Sequence, residues 1–519
     1  MKSLFPFLIL IPLFVTSCTY TIKIRDGQTA FDQKQYNVAT DFFIKDFEKA
    51  ERRSEKGKIA YQIGQCYQKT GEPEKALTWF KRAYDDGFGV DALEAYAYTL
   101  KENERYEEAL ENFEQLGIEI GSPYEYRKEV TACKVAMDWK KKQSENIAIT
   151  PLDINTPNNE FCPVVYEEDG LLFSSDRPAS TGEDTYEWTG KGFMDIFEAN
   201  LSSQSVSPVF PFLNSEDNEA SITLNKDKTE IFFTRCSGDV DNVSYCKIFT
   251  SRYDDNEWSL PIALEFQKAE INYLHPFLSE DGNTLYFASN DPEGWGGYDI
   301  YQVERGPGGW DVPKLLSRNI NSTFDDAFPF VENDTIYFSS KGHTGMGGFD
   351  IFRSYKINKS SWSPPYNLLP PVNSGFDDVS FVMDRRVAPT DEVKATGYFA
   401  SNRLGGNGGD DIYKYENLVP KEPPVVVEEK PIEHTLFLDG YVVEKIFEIP
   451  GDPNSRVLGR KPLDGAKVLI KFGDESKEVV TGEDGYFSLQ LAENTDYDFL
   501  ASKDGYLNQD NRFTTKGIG

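Results

Sequence analysis

Two periodicities divide the chain. Across residues 26–146, small and apolar residues recur at helical offsets. Ile63-Gly64, Tyr67, Ala76, Phe80 and Ala83 form one unit; Tyr96-Ala97, Leu100, Ala109, Phe113 and Leu116 form the next; Tyr36, Ala39 and Phe43 belong to an earlier one. The alanines stand 37 and 33 residues apart. Such a period predicts stacked helical hairpins. Gly64, Ala76 and Ala83 let paired helices approach, while Tyr67 and Phe80 fill the groove between them. Tyr36, Pro73 and Tyr106 each precede the alanine by three residues, at the turn into the second helix. Residues 124–142 read as a cap helix.

Near residue 147 the pattern becomes strand-like. An apolar strand ending in small polar residues recurs as Leu172-Phe173-Ser174-Ser175, Ile231-Phe232-Phe233-Thr234, Leu285-Tyr286-Phe287, Ile336-Tyr337-Phe338 and Gly397-Tyr398-Phe399. A loop and a second short strand follow each copy, beginning at Asp195, Lys247, Asp299, Asp350 and Asp411, at spacings of 52, 52, 51 and 61 residues. Trp258, Trp310 and Trp362 recur every 52 residues beside a last strand. A strand repeat near 50 residues predicts a β-propeller over 147–416, with five blades, or six if strands near 147–155 build another. Residues 417–434 are rich in proline and form a spacer. Beyond them, over 435–519, alternating apolar residues are punctuated by Asp464-Gly465, Asp484-Gly485 and Asp504-Gly505, the signature of hairpins in a small β-sandwich, whole or incomplete.

The first residues alter the reading of compartment. Lys2 precedes an apolar stretch over 4–15, too short to span a bilayer, which ends Val15-Thr16-Ser17-Cys18. The pattern resembles the lipobox of bacterial lipoproteins. That resemblance implies a signal peptide over 1–17, lipidation of Cys18 and a tether over 18–25. Thr19 stands where an aspartate would favour inner-membrane retention, so the expected address is the outer membrane, facing the periplasm. A formal charge of −32 argues against nucleic acid as a partner.

In this order the modules resemble known families. The helical units are similar to tetratricopeptide repeats, the strand repeats to the TolB-like propeller, and the last segment to the carboxypeptidase regulatory-like, transthyretin-like sandwich. Together they resemble the PorE-type lipoproteins of type IX secretion and gliding, and more broadly the OmpA family. The resemblance implies a scaffold that binds envelope proteins, secretion components among them, through its helical and propeller surfaces, with the Cys18 lipid as its membrane contact. Those families end in a peptidoglycan-gripping domain. None is read before Gly519, so peptidoglycan is a partner only if such a domain exists elsewhere. The alternative is glycan or peptide capture for an outer-membrane uptake system.

Chemistry is sparse. His275, His343 and His434 are the three histidines, and neither a Gly-x-Ser-x-Gly elbow nor a Cys/His cluster is present. No enzyme, no cofactor and no metal are expected. Asp299, Asp350 and Asp411 follow Gly-rich loops and are read as binding loop amides, with calcium as the alternative. Cys236 and Cys246 flank the hairpin loop of the second blade, in a compartment that permits oxidation, and are expected to form a disulfide. Lys247 stands there in place of the repeated aspartate, so the covalent link would take over its loop-fixing role.

Overall fold

The computed structural model describes residues 23–181, 185–210, 212–237, 245–358, 361–420, 436–447, 449, 457–473, 475–492 and 494–516. Among these, seven helices precede an otherwise β chain. Two compact units result: one takes residues 1–116 and 126–420, the other 117–125 and 421–519. No described helix is long and apolar enough to cross a membrane.

The helices are α1 (Gly27–Asp32), α2 (Tyr36–Lys49), α3 (Arg53–Lys69), α4 (Pro73–Asp85), α5 (Val90–Glu102), α6 (Tyr106–Glu119) and α7 (Arg127–Lys141). They pair as α1/α2, α3/α4 and α5/α6 because a small residue in each first helix meets a phenylalanine in the second. A Cβ on Gly64 would lie 2.6 Å from the Phe80 ring, and one on Gly27 would lie 2.6 Å from the Phe43 ring. Ala97 and Phe113 repeat the same sixteen-residue offset in the third pair, and both are fully buried. Proline opens α4 at a position whose amide needs no intrahelical partner.

Five antiparallel sheets follow in sequence, forming a five-bladed propeller. Their inner strands are Glu160–Tyr166, Asn218–Leu224, Tyr273–Leu278, Asp326–Glu332 and Asp378–Asp384. The segment Ile147–Pro151 builds no sixth blade. It pairs with Asp411–Leu418 as the outer strand of the fifth, so the N-terminal end of the propeller closes on its C-terminal end. Every inner strand breaks register once, and at each break one residue takes a positive φ: Cys162, Ser221, His275 and Phe328 at 53°, Ser380 at 56°. These bulges bend the inner strands and turn the five side chains into the central channel, whose wall they share with Pro163, Ile222, Pro276 and Phe330.

In the second unit, Leu436–Tyr441 pairs with Tyr486–Leu491, and a four-stranded sheet runs Glu475–Val480, Lys467–Phe472, Asp496–Ser502, Gln509–Thr514. Val468, Ile470, Tyr497 and Phe499 from the larger sheet share one core with Leu489 and Leu491 from the smaller. Gly465, Gly485 and Gly505 adopt φ of 64°, 72° and 87°, the left-handed geometry that their Asp-Gly turns require.

Candidate functional site

The loop face of the propeller is built by polar side chains that recur from blade to blade. Asn155, Asn214, Gln267, Asn321 and Asn373 each lay a carboxamide along the exposed edge of a third strand. Their oxygens accept from the amides of Ile412, Ile196, Ile248, Ile300 and Ile351 at 2.7–3.0 Å, and their nitrogens donate to the carbonyls of the same isoleucines at 2.8–3.2 Å. The outer strands are short, so the amides replace a missing stretch of ladder. Five residues on from four of these, Glu160, Glu219, Asp326 and Asp378 accept the amides of Thr156, Ser215, Ser322 and Ser374 at 2.5–3.0 Å. The recurring Asn-Ser/Thr with an acid five positions later is visible in the sequence, but its composition is that of an ordinary turn.

The aspartates that open the third strands fix their own loops. Asp299 accepts from the amides of Trp295 and Gly296 at 2.8 and 3.0 Å, Asp350 from Met346 and Gly347 at 2.7 and 3.4 Å, and Asp411 from Asn407 and Gly408 at 2.7 and 3.1 Å. Among the described residues no group of three or more His, Cys, Asp or Glu is arranged to hold a metal ion.

The second blade departs from this plan. Cys236 and Cys246 lie opposite each other across the hairpin and are joined in a disulfide, with Cα atoms 4.0 Å apart. Lys247 secures a different loop, donating to the carbonyls of Lys268, Ala269 and Ile271 at 2.5, 2.8 and 2.5 Å. The disulfide therefore does not act alone where the aspartate is missing. Cys18 and His434 lie outside the described residues. His275 stacks on Phe328 in the channel at 3.7 Å, and burial lowers its pKa to about 3. Cys162 lines the same channel with its sulfur 3.1 Å from the Ser221 hydroxyl, and burial pushes its thiol up to about 12, which keeps it protonated and unreactive.

Where the inner strands begin, Asn159, Asn218, Asn272, Asp325 and Asp377 stand around the channel mouth. Each accepts an amide at the start of the preceding blade's third strand: those of Asp410, Met194, Cys246, Tyr298 and Phe349, at 2.7–3.2 Å. Blades four and five thus place carboxylates where the others place amides. Lys341 pairs with Asp377 at 3.3 Å. Burial alone would lower the Lys341 ammonium, yet Asp377, Glu102 and Asp325 together hold it above its usual value. Asp410 is pushed up to about 7 by burial, with Asp377 adding to the shift.

The turn edges of the helical hairpins sit on this face. Trp188, from the long loop of the first blade, packs edge-on to Tyr36 at 5.0 Å and donates its indole N–H to the Lys69 carbonyl at 3.1 Å. Glu104, in the turn between α5 and α6, accepts the Gly375 amide at 3.1 Å, and Lys128 of α7 donates to the Gly342 carbonyl. Met346 of the fourth blade is buried in the same core as Leu93, Phe113 and Cys133. These contacts are made by residues that occur once each, so no repeat announces them in the sequence.

No family model matches the chain, and no curated protein does. Solved structures with a similar fold include a thermostable family-43 glycoside hydrolase, at 12% identity over 53% of this chain and 96% of that one, with a TM-score of 0.34. An α-L-arabinofuranosidase from Lactobacillus brevis matches at 12% identity over 51% and 91%, with a TM-score of 0.34. An exo-β-1,3-galactanase from Clostridium thermocellum matches at 10% identity over 72% and 82%, with a TM-score of 0.33. These neighbours correct the expectation that the chain is no enzyme. They are glycoside hydrolases, and a propeller can assemble a catalytic group from side chains of separate blades, which leaves no local motif to find. At such TM-scores the likeness assigns no reaction to this chain.

Proposed function

We propose that the chain is a lipoprotein of the bacterial outer membrane, facing the periplasm, that serves as a binding platform for other envelope proteins, components of type IX secretion or gliding among them. The helical hairpins are read as tetratricopeptide repeats, a reading supported by the packing of Gly27 and Gly64 against Phe43 and Phe80. The last segment is read as a transthyretin-like, carboxypeptidase regulatory-like sandwich, supported by its shared two-sheet core. The observation that carries the proposal is the seating of the helical turns on the propeller's loop face through Trp188, Glu104 and Lys128. It joins two repeat modules into one body, and repeat modules present extended surfaces suited to protein partners. The apolar stretch ending at Cys18 supports the lipid anchor.

The anchor is tested by labelling with a fatty acid and fractionating envelopes. Wild-type protein should take the label and sediment with outer membrane, whereas Cys18→Ala should lose both properties. A Cys18→Ala protein that stays in that fraction through a high-salt wash would contradict the anchor.

A further inference from the structure

In three blades a single arginine ties the start of the inner strand to the loop that follows the second strand. Arg177 pairs with Glu160 at 3.1 Å in the first blade, Arg235 with Glu219 at 2.6 Å in the second, and Arg403 with Asp378 in the fifth. Each also donates to the carbonyl just before a carboxamide clamp, that of Ile154 at 3.2 Å, Leu213 at 2.7 Å and Val372 at 2.5 Å. Each guanidinium lies over two rings of its own blade, 4.9–5.4 Å from their centroids. The third blade has no acid to pair there, because Tyr273 stands opposite Ser289 as Glu160 stands opposite Ser175.

The fourth blade has the acid without the arginine. Asp326 is fully buried, and one of its oxygens accepts the Ser322 amide and hydroxyl at 2.5 and 2.9 Å. Its other oxygen is buried with no hydrogen bond. Arg177 and Arg403 come two residues after Ser175 and Ser401; two residues after Ser340 stands Gly342, whose backbone lies so close to the Ser322 hydroxyl that no Cβ fits. His343 fills part of the seat. Its ring is edge-on to Phe338 at 5.9 Å and to Phe352 at 5.4 Å, and its Nε2 donates to the carbonyl of Ile320, just before Asn321, at 2.9 Å. The cation comes from outside the blade. Lys128 of α7 donates to the Gly342 carbonyl and sets its ammonium 5.7 Å from the Phe324 ring. It thus spans the same two segments that an arginine spans elsewhere, the turn before the inner strand and the loop after the second.

We infer that the fourth blade is built without a cation of its own and takes it from the helical stack, with Lys128 as the positioning residue that holds its loop in place of the arginine. His343 supplies the ring contacts and the carbonyl bond, and Lys128 supplies the charge. A charge-assisted bond is the stronger kind, and a buried acid without a nearby cation is costly, so the order of these loops is conditional on α7 being seated. The first and second blades hold theirs with their own arginines. A partner that draws α7 off the loop face would therefore loosen the fourth blade and leave those two closed.

Hydrogen exchange on the full chain tests this at backbone amides of residues 322–326 and 340–346. In Lys128→Met, which keeps the length of the stem, exchange there should rise by about tenfold, the effect of losing one charge-assisted bond. Residues 156–160 and 175–177 of the first blade, and 215–219 and 235–237 of the second, should keep wild-type protection. Lys128→Arg, which keeps the cation, should match wild type throughout. Adding His343→Arg to Lys128→Met puts an arginine into the existing seat and should restore protection. Unchanged exchange in Lys128→Met, a loss shared equally by the first and second blades, or a double variant as loose as the single one would overturn the inference.

Discussion

The helical stack and the propeller are held together by different physics. In the helices, specificity lies in apolar volume. Gly27 and Gly64 leave room for one ring each, and Phe43 and Phe80 take it. In the propeller, the apolar faces of neighbouring blades are alike, and what fixes each loop is a polar side chain on backbone. Five carboxamides, four acids at the inner strands and three aspartates on Gly-rich loops each bond amides that an outer strand or turn would otherwise leave open. Volume is a local property of two facing positions, whereas a clamp works only with its partner backbone in place. The propeller is therefore the more brittle of the two toward single polar changes, and the helices toward changes of size.

The sharpest way to break this comparison is to empty the helical groove. Phe80→Ala should cost about 3–5 kcal/mol by chemical denaturation, since the ring is fully buried and a glycine opposite cannot fill the space. In the propeller, Asn373→Ala strands the amide of Ile351, at about 1–3 kcal/mol, while the Ile351 carbonyl keeps the Leu368 amide at 3.0 Å. Asn373→Asp should cost at least as much, because it keeps that acceptor but sets a second oxygen against the Ile351 carbonyl and the Asn367 side-chain oxygen in a buried site. If Asn373→Ala were neutral while Phe80→Ala was severe, the clamps would be ornaments on an apolar fold. Reducing the Cys236–Cys246 disulfide should cost about 2–3 kcal/mol on the chain-entropy argument for so short a loop. A double serine variant checks that the loss is the covalent link and not the reductant. The remaining hairpin should stay formed, because the Arg235 side chain bonds Glu219 at 2.6 Å and Lys247 holds the adjacent loop.

The smallest effect is a pH dependence with an unusual sign. Burial pushes Asp326, Asp350 and Asp410 each up to about 7. An acid raised in the folded state stabilises it fully below its unfolded value, and that stability is lost as pH rises through the folded one. Glu230, Asp384 and Asp291 are held below their ordinary values by arginine or lysine partners, and their contribution is lost only at more acidic pH. The melting temperature of the first unit should therefore be higher at pH 5.5 than at pH 8. Asp326→Asn, which removes one raised acid, should flatten that slope.

These differences explain how much of the molecule could be read from sequence. Alanines at 39, 76 and 109, and the strand repeats ending in Ser175, Ser289, Ser340 and Ser401, are periodic and apolar, so they point to helices and blades directly. The pairing of Cys236 with Cys246 follows from their place on either side of one hairpin. The clamps at Asn155, Asn214, Asn321 and Asn373 were legible as a recurrence but carry the composition of any loop, so their role emerged only with the strands they bond. Ile147–Pro151 closes the fifth blade because its partner lies more than 250 residues away, a distance that local pattern does not bridge. The contacts of Trp188, Glu104 and Lys128 between the helices and the loop face have no period at all. The expectation that the chain is no enzyme rested on missing motifs, and on a propeller such an absence carries little weight.

The central claim is that helices and propeller, stabilised so differently, behave as one body. Calorimetry of the full chain tests it with two lesions far apart in sequence: Phe80→Ala in the helices and the double serine replacement of Cys236 and Cys246 in the second blade. One body predicts that both lesions lower the same transition and that the remaining transition stays in place. Two separate transitions, one lowered by Phe80→Ala alone and the other by loss of the disulfide alone, would contradict it.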